Sequence, residues 1–406
     1  MAVNLGALPE LFPVPGIRLG TVAAGLRKKD RRDLVVIECD QGARAAATFT
    51  RNRFCAAPVM VAREHLQARA PRALLINTGC ANAGTGPKGV ADARATCEEL
   101  ARLLNCQSDE ILPFSTGVIG ERLPLTRLLA GLPGCIVNLS PNGWADAAHG
   151  IMTTDTLPKG SSRRVRLSGG EVTITGIAKG AGMIRPDMAT MLAFVATDAF
   201  IAPALLQACV SKAVTQSFNR ITIDGDTSTN DACVLLSTGA ADHTPIQTAD
   251  SSDYSAFSNA VTETFTVLAH AIVRDAEGAT KFMTVHVEQG RSEADCLEVA
   301  YAIAHSPLVK TAFFASDPNW GRILAAVGRA PIAELDVGRV SIYLNDVCIV
   351  HAGGVAPDYS EARGQAEMKK TEITVRVQLG AGTSSARVWT SDLSHDYVSI
   401  NADYRS

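Results

Sequence analysis

No run of 18 consecutive apolar residues occurs in this 406-residue chain, and a helix that crosses a bilayer needs about that many. No basic-then-apolar opening marks a secretory signal either, so the expected location is the cytoplasm and no membrane partner is expected. An excess of one charge is also missing. The 38 basic and 41 acidic residues leave a formal net of -3, which argues against nucleic acid or an anionic surface as the main ligand. The ten cysteines form no C-x-x-C and do not cluster with the eight histidines. Reduced, buried thiols fit that usage; a disulfide framework or a metal site does not. Internal repeats and low-complexity linkers are absent as well.

What remains is an ordinary globular composition, 47% hydrophobic and 19% charged, long enough for two or three domain-sized units. Strand and helix patterns are mixed throughout, which predicts sheets covered by helices. Candidate strands are Val22 to Leu26, Asp33 to Glu38, Ala45 to Phe49, Ala73 to Asn77, Ile111 to Gly120 with a break at its Thr116-Gly117 step, Met188 to Asp198, Lys281 to Glu288, Val340 to His351 and Glu372 to Leu379. Arg163 to Gly176 reads as a hairpin with a Gly169-Gly170 turn. Apolar residues at helical spacing mark Ala91 to Leu104, Pro203 to Phe218, Ser252 to Asp275 and Ser292 to Ala304, with Trp144 to Met152 and the segment after Ser316 as further helices. The basic cluster Arg27 to Arg32, which also carries Asp30, fits a solvated hairpin tip.

One stretch stands apart: Lys179-Gly-Ala-Gly-Met-Ile-Arg-Pro-Asp-Met-Ala-Thr-Met-Leu192. Gly180, Ala181 and Gly182 allow close backbone approach, and Pro186 forbids a regular helix. The lysine precedes its glycines, so this is not a phosphate loop, and Lys179 better suits a substrate carboxylate. Thr190 is either a plain strand threonine or a nucleophile. A threonine hydroxyl needs a base, and its own free α-amine is one known solution, which requires cleavage between Ala189 and Thr190.

Elsewhere, Asn77 and Asn82 flank a small-residue loop and read as bracing or ligand amides, bracing being preferred. Asp224, Asp226, Asn230 and Asp231 resemble a calcium loop only superficially, and a rigid, hydrogen-bonded support is the preferred reading.

The segment KGAGMIRPDMATML resembles the self-cleaving signature of the ornithine acetyltransferases, also called glutamate N-acetyltransferases, and the resemblance runs along nearly the whole chain. It covers the loop Asn-Thr-Gly-Cys-Ala-Asn-Ala-Gly84, with Thr78 for the usual Ser, the strand end Ser-Thr-Gly117, the segment Met-Thr-Thr-Asp-Thr156, Asn219 to Asp231, Asp-Ala-Glu-Gly-Ala-Thr-Lys281 and the chain end. Arg185, Asp187, Cys80 and Gly84 depart from the family pattern. Trp320 and Arg322 recur in it, for packing.

The resemblance implies an α/β (α+β) fold: two stacked sheets flanked by helices in the αββα manner shared with certain aminopeptidases, plus a smaller domain at roughly 240–350. It implies self-cleavage into an α chain (1–189) and a β chain (190–406) that assemble as α2β2. Thr190 would be the nucleophile, with the Thr116 hydroxyl and the Gly117 N–H as oxyanion donors. Thr156, Lys179, Glu277, Asn401 and Ser406 would join it as substrate contacts. The implied reaction moves acetyl from N-acetylornithine to glutamate without metal or cofactor, and acetyl-CoA is left open as a second donor. A self-processed aminopeptidase or other hydrolase of similar fold, and a binding protein with a decayed site, are the rival readings.

Overall fold

The structure, a computed structural model, describes residues 2–27, 30–185 and 191–403. It divides into two compact units, one of Ala7–Asn219 with Asp226–Ile272, the other of Met1–Gly6, Arg220–Gly225 and Val273–Ser406.

The larger unit stacks two sheets. Strands β1 (Ile17–Val22), β2 (Leu34–Cys39), β4 (Ala73–Cys80) and β5 (Ile111–Val118) form the first, in that order. The second has the order β3-β9-β8-β7-β6, with β3 at Arg44–Phe49, β6 at Lys159–Leu167, β7 at Gly170–Lys179, β8 at Leu192–Thr197 and β9 at Ala232–Ser237. Strands β4 and β5 run parallel, as do β8 and β9, and the other neighbours are antiparallel.

Alternation explains the stacking. Leu74 and Ile76, Leu112 and Phe114 from the first sheet share one buried cluster with Ile177, Leu192, Phe194, Val234 and Leu236 from the second. Phe114 and Phe194 meet edge to face across the layer, centroids 5.1 Å apart. The opposite faces are apolar too. Val36, Leu75 and Ile111 of the first sheet lie under helices α2 (Gly86–Leu104) and α3 (Leu125–Val137). Helix α1 (Ala57–Ala68) also packs on β5, whose Ile111 carbonyl receives His65 Nδ1 at 2.7 Å. A short α4 (Trp144–Gly150) puts Trp144, Ala147 and Ala148 into the cluster between the sheets. Helix α5 (Pro203–Gln216) covers β3 and β9 of the second sheet, and α6 (Ser252–Arg274) contributes Phe265 against Phe218. The order helix, sheet, sheet, helix is thus the expected αββα sandwich.

The smaller unit holds a sheet of order β13-β12-β11-β14-β10-β15, from β10 (Phe282–Gly290), β11 (Ser341–Leu344), β12 (Val347–His351), β13 (Gly354–Val355), β14 (Glu372–Gln378) and β15 (Ser384–Ser391). Val285, Val287, Val375, Val377 and Val388 are buried against Val299 and Ile303 of α7 (Glu293–Ala304) and Val327 of α9 (Trp320–Gly328). Between those helices lies α8 (Pro307–Phe314), and α10 (Glu361–Met368) and α11 (His395–Ala402) follow.

The boundaries differ from the sequence expectation. Residues 240–272 belong to the larger unit and 351–406 to the smaller, rather than a domain spanning roughly 240–350. The stripe of α6 packs within the former, and β14 and β15 complete the sheet of the latter. Val340 to His351 is a hairpin and not one strand, because Asn345 takes the left-handed conformation that turns the chain. The first strand lies at Ile17–Val22, earlier than Val22 to Leu26, since those are the residues in register with β2.

Candidate active site

Thr116 and Gly117 sit at the end of β5. The pleat gives Leu112, Phe114 and Thr116 the same parity, so the run that fills the layer between the sheets ends in a hydroxyl. The ladder to β4 shifts register at Gly79 and Cys80, and Gly117 has φ +134, a value that favours glycine. A Cβ at Gly117 would lie 2.3 Å from the carbonyl carbon of Gly79, so no side chain fits there.

The neighbouring loops hold that strand end rigidly. Ser115 Oγ donates to Asn77 Oδ1 (2.6 Å), and Asn77 Nδ2 donates to the Cys80 carbonyl (3.0 Å). Asn82 Nδ2 donates to the Gly89 carbonyl (2.9 Å) and its Oδ1 accepts from Thr85 (2.8 Å), so both asparagines brace. Asn230 Nδ2 donates to the carbonyls of Ala81 (2.6 Å) and Ser115 (2.9 Å). This is the supporting loop expected between Asn219 and Asp231, except that Asp224 belongs to the smaller unit, where Tyr397 donates to it at 3.2 Å.

Lys179 ends β7 in the other sheet, two residues after the core residue Ile177. Its Nζ reaches Thr116 Oγ1 at 3.2 Å, with both side chains buried. Two buried carboxyls flank the lysine, and their surroundings shift them in opposite directions. Asp155 and Lys159 form an ion pair of 2.7 Å with both side chains at 0% exposure. Asp155 also accepts the N–H groups of Gly180 (2.7 Å) and Thr153 (2.9 Å). Burial works against its charge, but Lys159 and Lys179 outweigh burial and hold the carboxyl below the usual carboxylate range.

Asp231, directly before β9, goes the other way. Burial pushes its carboxyl well above the usual range, against the pull of the Met191 N–H and of Lys179. Its Oδ2 is buried without a hydrogen-bond partner among the described residues. Carboxyls driven apart in this way are common where acid–base chemistry is done.

Of the residues singled out in the sequence, Thr116, Gly117 and Lys179 are brought together. Thr156 is exposed on the turn after Asp155. In the smaller unit Glu277 is buried, and Asn401 Nδ2 donates to its Oε2 at 2.7 Å. Ser394 Oγ on the same terminal segment donates to the Gly278 carbonyl at 2.6 Å. Ala189, Thr190 and Ser406 lie outside the described residues. Among the described residues no His, Cys, Asp and Glu cluster suits a metal ion, and no helix is long and apolar enough to cross a membrane.

Sequence reasoning missed Asp155, Lys159 and Lys310. Lys310 is fully buried in the smaller unit, where burial brings its ammonium down to about 8 against the pull of Asp392 and Asp224. Asp392 accepts the N–H groups of Thr280 (2.8 Å) and Lys281 (3.0 Å), and so braces the turn that carries Glu277.

A rigid hydroxyl-and-glycine strand end beside a buried lysine, set where two stacked sheets meet, is the equipment of an acyl-transferring α/β enzyme. Comparison with known proteins agrees. The ArgJ family model matches residues 18–406. The arginine biosynthesis bifunctional protein ArgJ of Pseudomonas syringae pv. tomato is 53% identical over 406 residues, the whole of both chains. The chain belongs to the ArgJ family. Solved structures similar to it include the arginine biosynthesis bifunctional protein of Bacillus halodurans, at 35% identity, 51% of this chain, 96% of that one and a TM-score of 0.49. Another is the ornithine acetyltransferase of Mycobacterium tuberculosis complexed with ornithine, at 36% identity, 44% of this chain, 93% of that one and a TM-score of 0.38. The assignment rests on the sequence matches.

Proposed function

We infer that this protein is a glutamate N-acetyltransferase of arginine biosynthesis. It moves the acetyl group of N-acetylornithine to glutamate through an acetyl-threonine, after cutting itself between Ala189 and Thr190. The observation that supports the reading is the buried Thr116–Gly117 strand end, with Nζ of Lys179, the head of the self-cleaving signature, 3.2 Å from Thr116 Oγ1.

In the first half-reaction the freed α-amine of Thr190 takes the proton of its own hydroxyl, and the oxygen attacks the acetyl carbonyl. Thr116 O–H and Gly117 N–H receive the negative oxygen, a contribution that typically amounts to about 10²–10³ in rate per donor. The carbon–nitrogen bond breaks, the amine returns its proton to the leaving nitrogen, and ornithine departs. In the second half the glutamate amine attacks the threonine ester by the same steps in reverse order. Thr156, Lys179, Asn401 and Ser406 are assigned to the amino-acid part of the substrates, and Glu277 to an ammonium. Acetyl-CoA is a further donor to test directly, by glutamate acetylation in its presence.

Self-cleavage would leave two chains, but the sheet argues against their separation. Strand β8 of the second chain pairs with β7 of the first, and β9 of the second with β3 of the first. We therefore expect α and β chains to copurify, doubled as α2β2.

The test is Thr190→Ala, which lacks the attacking oxygen. It should remain one 42.7 kDa chain without activity, where wild type gives two bands of similar size. Thr190→Ser keeps the oxygen and loses only the methyl that restricts χ1, so slow cleavage and reduced transfer are expected. Steady release of acetate without any amine acceptor would instead identify a hydrolase and overturn the transferase reading.

A further inference from the structure

Lys179 is assigned above to a substrate carboxylate, yet its ammonium donates to Thr116 Oγ1 at 3.2 Å. An ammonium has three donors and no acceptor, so in this contact the threonine oxygen can only accept. Its proton must therefore point elsewhere. Among the described residues no acceptor for that proton is recorded, and Thr116 is buried at the end of its strand. A charged donor on an oxygen also polarises its O–H and strengthens it as a donor.

The lysine is itself fixed from both sides. Its backbone pairs with Leu192 in the β7–β8 ladder, and the next N–H, that of Gly180, is held at 2.7 Å by Asp155. Asp155 is locked in turn by Lys159.

We propose that Lys179 is a positioning residue for the oxyanion donors: by occupying one lone pair of Thr116 Oγ1 it turns the hydroxyl proton toward the developing negative oxygen, and the Asp155–Lys159 pair holds it in place to do so. This role rests on the acyl-transfer reading of the site. It predicts that Lys179 acts through Thr116 and in the transition state, whereas a carboxylate contact acts on substrate binding and independently of Thr116.

The experiment is a double-mutant cycle on the full chain with Lys179→Met, Thr116→Val and both together, reading kcat and KM for N-acetylornithine in the matured enzyme. Each single variant should lower kcat by about 10²-fold, and the double should be no worse than Thr116→Val within about threefold. KM should hold within the same factor. Losses that multiply in the double variant, or a Lys179→Met loss that falls on KM, would overturn the proposal.

Lys179→Gln supplies a second arm, since it keeps a neutral N–H donor. Orientation predicts that it recovers at least tenfold in kcat over Lys179→Met; equal activity of the two would overturn the proposal. Where a variant matures slowly, kcat is referred to the matured fraction, quantified from the two bands on a denaturing gel. A wild-type chain that neither cleaves nor transfers counts against the function itself, while a competent wild type with multiplying losses counts against this inference alone.

Discussion

Replacing Lys159 with methionine removes one half of an ion pair whose side chains are both fully buried. The variant leaves the Asp155 carboxylate without its nearest countercharge, and breaking a buried pair by removing one partner typically costs about 3–5 kcal/mol. Two N–H bonds, from Thr153 and Gly180, still reach that carboxylate, and Lys179 remains nearby. The lower end, about 3 kcal/mol, is therefore expected, a large share of a typical folding stability of about 5–15 kcal/mol. Urea unfolding followed by the fluorescence of Trp144, buried in the same unit, reads the change. The loss should shrink in acid, where the stranded carboxyl can take a proton. Replacing the pair together, with Asp155→Leu and Lys159→Met, should recover much of the stability, because apolar pairs of similar volume commonly match buried ion pairs. It should not recover transfer, because Gly180 then loses its anchor. A Lys159→Met chain within about 0.5 kcal/mol of wild type would refute the reasoning, since that is the range of an ordinary surface substitution.

Other outcomes follow from the same structure. Asp155 has a depressed folded pKa, so its contribution is fully present above the unfolded carboxylate value of about 3.9 and is lost as pH falls through the folded one; acid unfolding should therefore occur at higher pH in Lys159→Met than in wild type. Asp231 has the opposite sign: the folded chain keeps a proton that the unfolded chain releases, so this group costs stability as pH rises above about 4. The urea midpoint of Asp231→Asn should gain on wild type as pH rises from about 4, and a difference that stays constant with pH would contradict the burial argument. Gly117→Ala meets Gly79 at 2.3 Å and an unfavourable φ, and should lower kcat/KM by about 10²-fold or more through displacement of the donor N–H. Iodoacetamide on the folded protein should label Cys55, Cys106 and Cys348 ahead of Cys39, Cys97 and Cys233, which are buried; for Cys39 and Cys97 burial pushes the thiol up to about 12.

Much of the fold was legible because period-2 and period-3.6 patterns survive wherever one face is buried. The stripe on α6 and the alternation in β14 are of this kind. Helices α1 and α3 escaped notice. In α3 Pro133 lies inside the helix and interrupts the pattern on which a helix is read, and α1 is flanked by no side-chain cap. At the site, the Thr-Gly step was visible as an interruption of an apolar run, although β5 runs through it to Val118 instead of breaking there. The Asp155–Lys159 pair was not, because a spacing of four suggests neighbours one turn apart on a helix face and here joins a turn to the start of a strand. Asp231 was hidden for another reason: in a string of polar loop residues nothing marks the one whose carboxyl is fully buried. The pairing of Asn401 with Glu277 is likewise a tertiary fact, made by a terminal helix that carries no strong apolar stripe.

The central claim is that Thr190 carries the acetyl group between the two amino acids. Wild-type enzyme mixed with N-acetylornithine and no acceptor, then quenched in acid and digested, should yield the peptide that begins at Thr190 with one added acetyl group. That mark should vanish when glutamate is supplied before the quench, with N-acetylglutamate appearing in equal amount. An active enzyme that never shows acetyl on that peptide, or shows it on another residue, would contradict the account.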